Sequence, residues 1–186
     1  MISDYPVPVL GFAAFSGTGK TTLLKRLIPL LRQHGLRIAL VKHAHHEFDV
    51  DKPGKDSYEL RKAGAAQVLV ASSRRWALMC DNDTEQEPRL QDMLARLETA
   101  DIDLVLVEGF KRERFPKIEL HREGQAHPLL FLSDDSIIAL ATDTQAPSAA
   151  TLPVLDINDP EQIVEFIETR ILQRKSPDDT QQGTTS

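Results

Sequence analysis

The sequence predicts an α/β fold with a doubly wound, mostly parallel sheet. Short runs of almost uninterrupted apolar residues alternate along the chain with segments whose apolar residues recur at helical spacing. Parallel strands that are covered on both faces have such continuous apolar runs. A glycine-rich turn separates the first run from the first helical segment, and sheets of this class bind ligands at that edge. Strands that alternate with helices in this way favour the doubly wound class.

Each element follows from its local pattern. Strands are expected at residues 7–15, 37–43, 101–110, 116–122, 136–143 and 152–157. Helices are expected at residues 19–34, 56–64, 89–98 and from 160 onward. In the first helix Leu23, Leu27 and Leu31 belong to one apolar stripe that should face the sheet. The last helix should have Asp159 as its N-cap and Pro160 at its first position.

Two further strand-like segments lie close together in the middle of the chain. They predict a hairpin over residues 67–80 that turns at 72–75, either protruding from the domain or forming an antiparallel edge of the sheet. The remaining pattern fits one domain over residues 1–174. Residues 175–186 are polar and lack helix caps, so we expect a disordered tail.

Composition limits the compartment and the partners. The chain has 186 residues and a net charge of -6, which suits neither a nucleic-acid nor a membrane partner. Cys80 is the only cysteine, so no internal disulfide can form and a reducing cytoplasm is expected. No positive residue precedes the apolar run at 7–15, which therefore looks like a strand and not like a signal peptide.

The turn after the first strand matches the back half of the phosphate-binding fingerprint G-x-x-x-x-G-K-[ST]. Backbone amides of such a loop and of the following helix donate to phosphates, and Gly17 and Gly19 allow a close approach. Lys20 would reach the β- and γ-phosphates in a catalytic role, and Thr21 would bind Mg²⁺. The expected nucleotide-binding residues of the loop are Ser16, Gly17, Thr18, Gly19, Lys20, Thr21 and Thr22. Residues 1–174 are therefore predicted to form a P-loop nucleotide-binding domain.

The first glycine of the fingerprint is replaced by Ala14. This position lies where the strand enters the loop, and alanine fits there if its φ stays negative and its methyl group packs into the sheet. The alternative is a glycine-rich turn that only caps a helix. That alternative does not explain why Lys20 and Thr21 stand at the correct offset.

Two acidic residues at strand ends extend the predicted site. Glu108 ends a buried strand where such folds place an acid near the Mg²⁺ shell, so we expect it to contact the metal directly or through water. Asp143 ends another apolar strand, and its carboxylate matches the paired N–H donors of guanine. The lysine of the usual N/T-K-x-D motif is missing. The alternatives are a solvent-facing carboxylate for Glu108 and a turn residue for Asp143.

Four segments together resemble the MobB family of molybdopterin-guanine dinucleotide biosynthesis adaptors. These segments are GTGKTTLLKRLIPLL, VKHAHHEFDVDKPGKDSYELRKAGAAQ, LVLVEGFKR and DINDPEQI, and the resemblance covers nearly all of residues 7–172. It implies a GTP-binding protein with weak GTPase activity that works as a homodimer. It also implies that the protein assists the guanylyltransferase MobA in attaching GMP to molybdopterin. The phosphate loop and the strand-end acid of the family correspond to residues 17–22 and Glu108.

The loop over residues 43–56 admits two interpretations. His43, His45 and His46, together with Asp49 and Asp51, are potential transition-metal ligands, but two of the histidines are adjacent and no cysteine is near. The preferred interpretation is a switch-like loop that senses the γ-phosphate or its Mg²⁺. Asp49 and Asp51 then become candidate catalytic residues that position water or metal.

Three functions compete at this stage. The first is a GTP-gated adaptor with slow hydrolysis. The second is a P-loop small-molecule kinase, although the sequence offers no long arginine-rich lid. The third is a structural module with a vestigial loop, which the intact Lys20–Thr21 pair argues against.

Overall fold

The computed structural model describes residues 2–44, 48–82, 84, 86–125, 127–145, 147–148 and 150–173. The described residues divide into two compact units, one within residues 1–43 and 89–186 and the other within residues 44–88. The predicted disordered tail lies outside the described residues. The single domain over residues 1–174 stays a prediction.

The secondary structure follows the predicted order. The strands are β1 Val9–Ala13, β2 Ile38–Lys42, β3 Gln67–Ala71, β4 Trp76–Cys80, β5 Leu104–Glu108, β6 Lys117–His121, β7 Ile137–Thr142 and β8 Val154–Asp156. The helices are α1 Lys20–Gln33, α2 Asp56–Lys62, α3 Leu90–Leu94 and α4 Pro160–Phe166, which continues into a π-helical turn at Ile167–Ile171. Short 3₁₀ turns occupy Ile2–Asp4 and Leu130–Leu132.

The first unit is built on a six-stranded sheet in the order β2-β5-β1-β6-β7-β8. Every neighbouring pair in this sheet is parallel. The predicted α/β fold is therefore confirmed. The ladders are shorter than the apolar runs because the runs continue into the loops, as Ala14 and Phe15 do after β1.

Both faces of the sheet are covered, which explains the continuous apolar runs. Along β5, Leu104 and Leu106 join a core cluster with leucines of α1 and with residues of α4. Val105 and Val107 point the other way and join a second cluster that includes residues of α3. Consecutive side chains on a strand face opposite sides, so a strand between two helix layers needs an apolar residue at every position.

The predicted cap of α4 is present. The Asp159 carboxylate accepts hydrogen bonds from the backbone amides of Glu161 at 3.1 Å and Gln162 at 3.4 Å, and Pro160 occupies the first turn. These bonds satisfy amides that have no partner within the helix. The side chain of Gln162 accepts from the amide of Asp156 and so ties the helix start to the end of β8.

The second unit contains α2 and the predicted hairpin. β3 and β4 pair antiparallel as a separate two-stranded sheet, and the amide of Ser72 donates to the carbonyl of Arg75 across the turn. Trp76, at the start of β4, is 63% exposed and is not a core residue. Leu69 is equally exposed on β3.

None of the helices in the described ranges has the length and hydropathy of a bilayer-spanning segment.

Candidate functional site

The phosphate loop connects β1 to α1 in the predicted way. Gly17 has φ 82° and Gly19, the N-cap of α1, has φ 91°. Residues with a Cβ adopt such angles only at a cost, so both glycines are required by the backbone. No side chain caps α1, which leaves its first amides available to an anion.

Ala14 fits the loop in place of the usual glycine. Its side chain is 1% exposed and belongs to the core cluster beneath α1. It is not among the described residues with positive φ, so alanine has no backbone penalty here. Both conditions set by the sequence for this position are confirmed.

Glu108, the last residue of β5, contacts the start of α1 and the end of β2. Its Oε1 atom is 3.9 Å from Lys20 Nζ and accepts a hydrogen bond from the Thr21 hydroxyl at 3.5 Å. Its Oε2 atom is 3.6 Å from Lys42 Nζ, and the carboxylate side chain is only 12% exposed. The structure therefore brings Lys20, Thr21 and Glu108 together and excludes a freely solvated Glu108. Lys42 was not expected from the sequence.

The donors present here suit Mg²⁺ better than a transition metal. Mg²⁺ takes oxygen ligands, keeps several waters and in nucleotide sites is held by one or two protein groups together with phosphates. Thr21 and Glu108 are two such protein groups, since they supply a hydroxyl oxygen and a carboxylate oxygen. Within the ranges that the structure describes, no group of three or more histidine, cysteine or acidic residues could hold a metal ion.

Arg122, just after β6, contacts the phosphate loop and was missed by the sequence reasoning. Its Nε atom donates to the carbonyl of Thr18 at 3.2 Å. Its Nη1 atom donates to Asp143 Oδ2 at 2.9 Å and to Asn158 Oδ1 at 3.1 Å. Arg122 thus links the loop to the segments that follow β7 and β8. Its position at the carboxyl end of a parallel strand was the available signal.

The segment after Arg122 makes further contacts with the loop. Gln125 Oε1 accepts a hydrogen bond from the hydroxyl of Thr18, which is fully buried. The ring of His127 stacks on Phe15 with centroids 4.1 Å apart. These contacts fix the outer side of the loop, whose glycines alone would leave it mobile.

Asp143 lies directly after β7, and its carboxylate accepts two hydrogen bonds. Its Oδ1 atom accepts from the amide of Glu123 at 2.8 Å, and its Oδ2 atom from Arg122. The hydrogen bond from the Glu123 amide and the positive charge of Arg122 lower the pKa of Asp143 below its usual value. A carboxylate has about four acceptor positions. Asp143 is 23% exposed, so it keeps acceptor capacity for a ligand.

Asp49 and Asp51 lie in the second unit, where both contact Arg61. Arg61 Nη2 donates to Asp49 Oδ1 and to Asp51 Oδ1 at 2.9 Å each, and Arg61 Nη1 donates to Asp81. The hydrogen bond to Asp51 raises the pKa of Arg61 above its usual value. The catalytic role of both aspartates stays a prediction.

The histidines of the same loop are only partly described. His45 and His46 lie outside the described residues. The ring of His43 stacks on Phe110 with centroids 4.8 Å apart, and its amide donates to the carbonyl of Glu108 at 2.8 Å. His43 therefore packs beside the end of β5.

Comparison with known proteins identifies the family. Residues 9–143 match the family model described as MobB, molybdopterin guanine dinucleotide synthesis protein B. The molybdopterin-guanine dinucleotide biosynthesis adapter protein of Escherichia coli K12 is 54% identical over 87% of this chain and 91% of its own length. The protein of the same name from Haemophilus influenzae is 44% identical over 87% of this chain and 88% of its own length.

A solved structure agrees with this assignment. The crystal structure of molybdopterin-guanine biosynthesis protein B is 27% identical and has a TM-score of 0.67. The match covers 87% of this chain and 98% of that one. The chain therefore belongs to the MobB family.

Proposed function

We propose that this protein is a GTP-binding adaptor with weak GTPase activity that assists the attachment of GMP to molybdopterin. The observation that supports nucleotide binding best is the uncapped start of α1 behind Gly17 and Gly19, with Lys20 and Thr21 beside Glu108. The pathway is supported by the names of the relatives, which are adapter proteins of molybdopterin-guanine dinucleotide biosynthesis. The proposed partner is a MobA-like guanylyltransferase, and the proposed state is a cytoplasmic homodimer.

The phosphates would be bound mainly by the backbone. The first amides of α1, which no side chain caps, would donate to an anionic group, and the partial positive charge at the helix start would favour it. Lys20 lies 3.9 Å from Glu108 before phosphate binds. A phosphate would compete with Glu108 for the Lys20 ammonium group. Lys20 is then positioned to stabilise charge on the β- and γ-phosphates.

Thr21 and Glu108 would hold Mg²⁺ on the side of the loop that faces β5. Bound Mg²⁺ would neutralise charge on the phosphate oxygens. The two protein oxygens are 3.5 Å apart, so Glu108 reaches such an ion after a small shift or through water. Lys42, 3.6 Å from the other oxygen, orients this carboxylate.

Asp143 is proposed to recognise guanine. Hydrogen bonds from the Glu123 amide and Arg122 hold its carboxylate in place. A carboxylate held in this way can accept both N–H donors of the guanine edge, and adenine lacks this pair of donors. Slow hydrolysis is proposed because Asp49 and Asp51, the candidates for positioning water, are engaged by Arg61. Asp49 is the more accessible of the two, with 54% of its side chain exposed against 6% for Asp51.

Lys20→Ala should weaken GTP binding by about a hundredfold or more, because a charge-assisted contact to phosphate is lost while the fold is unchanged. Calorimetric titration with GTP and Mg²⁺ measures the affinity, and circular dichroism checks the fold. Lys25→Ala is the matched control, an exposed lysine on the same helix. Unchanged affinity for Lys20→Ala would contradict the phosphate site.

Asp143→Asn should lower GTP affinity about tenfold relative to ATP, since an amide cannot accept both guanine donors. Arg122→Ala is a second variant, which removes the contact to Thr18 and one of the two partners of Asp143, so it should weaken both nucleotides and GTP more than ATP. Lys25→Ala, on the exposed side of α1, is the control and should leave the ratio unchanged. Competition titrations of the two nucleotides give the ratio. If Asp143→Asn leaves the GTP/ATP ratio unaltered, Asp143 does not recognise the base.

Asp49→Asn should reduce the rate of GTP hydrolysis roughly tenfold or more without a matching loss of GTP affinity. Asp81→Asn is the matched control, because Asp81 is a third partner of Arg61, is 56% exposed and lies outside the predicted switch loop. Release of free phosphate from γ-labelled GTP measures the rate. Equal rates for the two variants would remove Asp49 from the hydrolytic step, and label on a small molecule would favour a kinase.

The adaptor role is tested by a pull-down with a MobA-like guanylyltransferase. We expect more enzyme to be recovered when GTP and Mg²⁺ are present, because nucleotide selects the binding-competent state. The Lys20→Ala variant should lose this dependence and give the nucleotide-free recovery under both conditions. Equal recovery by the wild-type protein with and without GTP would contradict nucleotide gating.

A further inference from the structure

Residues 109–111 leave the sheet beside the phosphate loop. β5 pairs in parallel with β1, with Phe12 opposite Glu108, so the two strands end at the same edge. The segment Gly109-Phe110-Lys111 follows Glu108 directly. It therefore lies where residues after β1 form the phosphate loop.

The backbone of this segment has an unusual conformation. Gly109 has φ 102°, and a Cβ added there would lie 2.5 Å from His43 Cβ, so only glycine fits. Phe110 has φ 51°, which residues with a side chain rarely adopt. Its ring is 6% exposed and stacks on His43. Packing thus holds a turn that the chain would not adopt by itself, a feature concentrated at functional sites.

A buried lysine fixes the far end of the turn. Lys117, on β6, is 1% exposed. Its Nζ atom donates to the carbonyl of Lys111 at 3.2 Å and to that of Glu113 at 2.7 Å, and it pairs with Asp134 at 2.9 Å. The backbone at Lys111 is therefore held on both sides, which also limits where its side chain can reach.

The ammonium group of Lys111 lies over the start of the phosphate loop. Its Nζ atom is 5.4 Å from the centroid of the Phe15 ring, and Phe15 is the residue immediately before Ser16 and Gly17. Burial and the nearby charge of Lys20 lower the pKa of Lys111. Two like charges at one loop raise the free energy of the protein alone, and an anion between them would remove that cost.

The strand order indicates which phosphate would meet Lys111. The sheet runs β5-β1-β6-β7, with the phosphate loop after β1 and Asp143 after β7. If Asp143 receives the base, the nucleotide extends from β7 towards β1. The phosphate farthest from the base then lies on the β5 side, where Lys111 is.

We propose that Lys111 binds the terminal phosphate of a nucleoside triphosphate and distinguishes it from a diphosphate. The inference rests on the proposed nucleotide site and adds a second cation to Lys20. Because Lys111 is tied to Glu108 through Gly109 and Phe110, contact with the terminal phosphate also connects that phosphate to the proposed metal-binding carboxylate.

The test compares GTP and GDP affinities, both with Mg²⁺, for the wild-type protein and three variants. Lys111→Met should weaken GTP about tenfold and leave GDP unchanged, because only the terminal phosphate loses a charged partner. Lys111→Arg should retain most of the preference. Arg112→Met removes the same charge from the adjacent exposed residue and should leave both affinities unchanged.

The outcomes separate this inference from the proposed function. Equal losses for GTP and GDP, or no loss for GTP, in Lys111→Met would overturn the role of Lys111 while nucleotide binding stands. A similar loss of GTP affinity in Arg112→Met would show that the loss follows from net charge, and this would also overturn the role of Lys111. A wild-type protein that binds neither nucleotide would overturn the proposed function and this inference together. Circular dichroism and thermal unfolding of each variant establish that it is folded.

Discussion

The parallel pairing of β1 with β5 and β6 is the constraint on which the rest of the structure depends. Because these strands run in one direction, Ala13, Glu108 and His121 end at the same edge, and the residues after them meet. The phosphate loop, the metal-binding candidate and Arg122 become neighbours for this reason. An antiparallel β5 would have placed Glu108 at the opposite edge, and Lys20 would have had no carboxylate beside it.

The charges at this edge differ from those of the whole protein. The chain has a net charge of -6, yet Lys20, Lys42, Lys111 and Arg122 all lie around the phosphate loop. Glu108 contacts two of these cations, and Asp143 contacts Arg122. The Lys20–Glu108 contact is long, at 3.9 Å, so under the proposed function a phosphate would displace this carboxylate from Lys20 at little cost.

The sequence was sufficient for features that depend on neighbouring residues. Gly17, Gly19 and Lys20 lie within four consecutive residues, and Glu108 ends a continuous apolar run that is typical of a buried strand. The contact of Arg122 with Thr18 joins residues 104 positions apart, and no local pattern encodes it. Lys42 was missed for the same reason, since only the pairing of β2 with β5 brings it to Glu108.

The predicted switch loop also contains contacts that its local sequence does not reveal. Asp49 and Asp51 were predicted to position water or metal, and the sequence did not show that Arg61 pairs with both. The side chains of Asp51 and Arg61 are 6% and 9% exposed. Breaking such a pair would leave a charge without its partner, so the pair restrains the loop. Within the described chain, Asp51 Oδ2 and Arg61 Nε are also buried without a hydrogen-bond partner. An incompletely satisfied buried pair raises the free energy of the state that contains it.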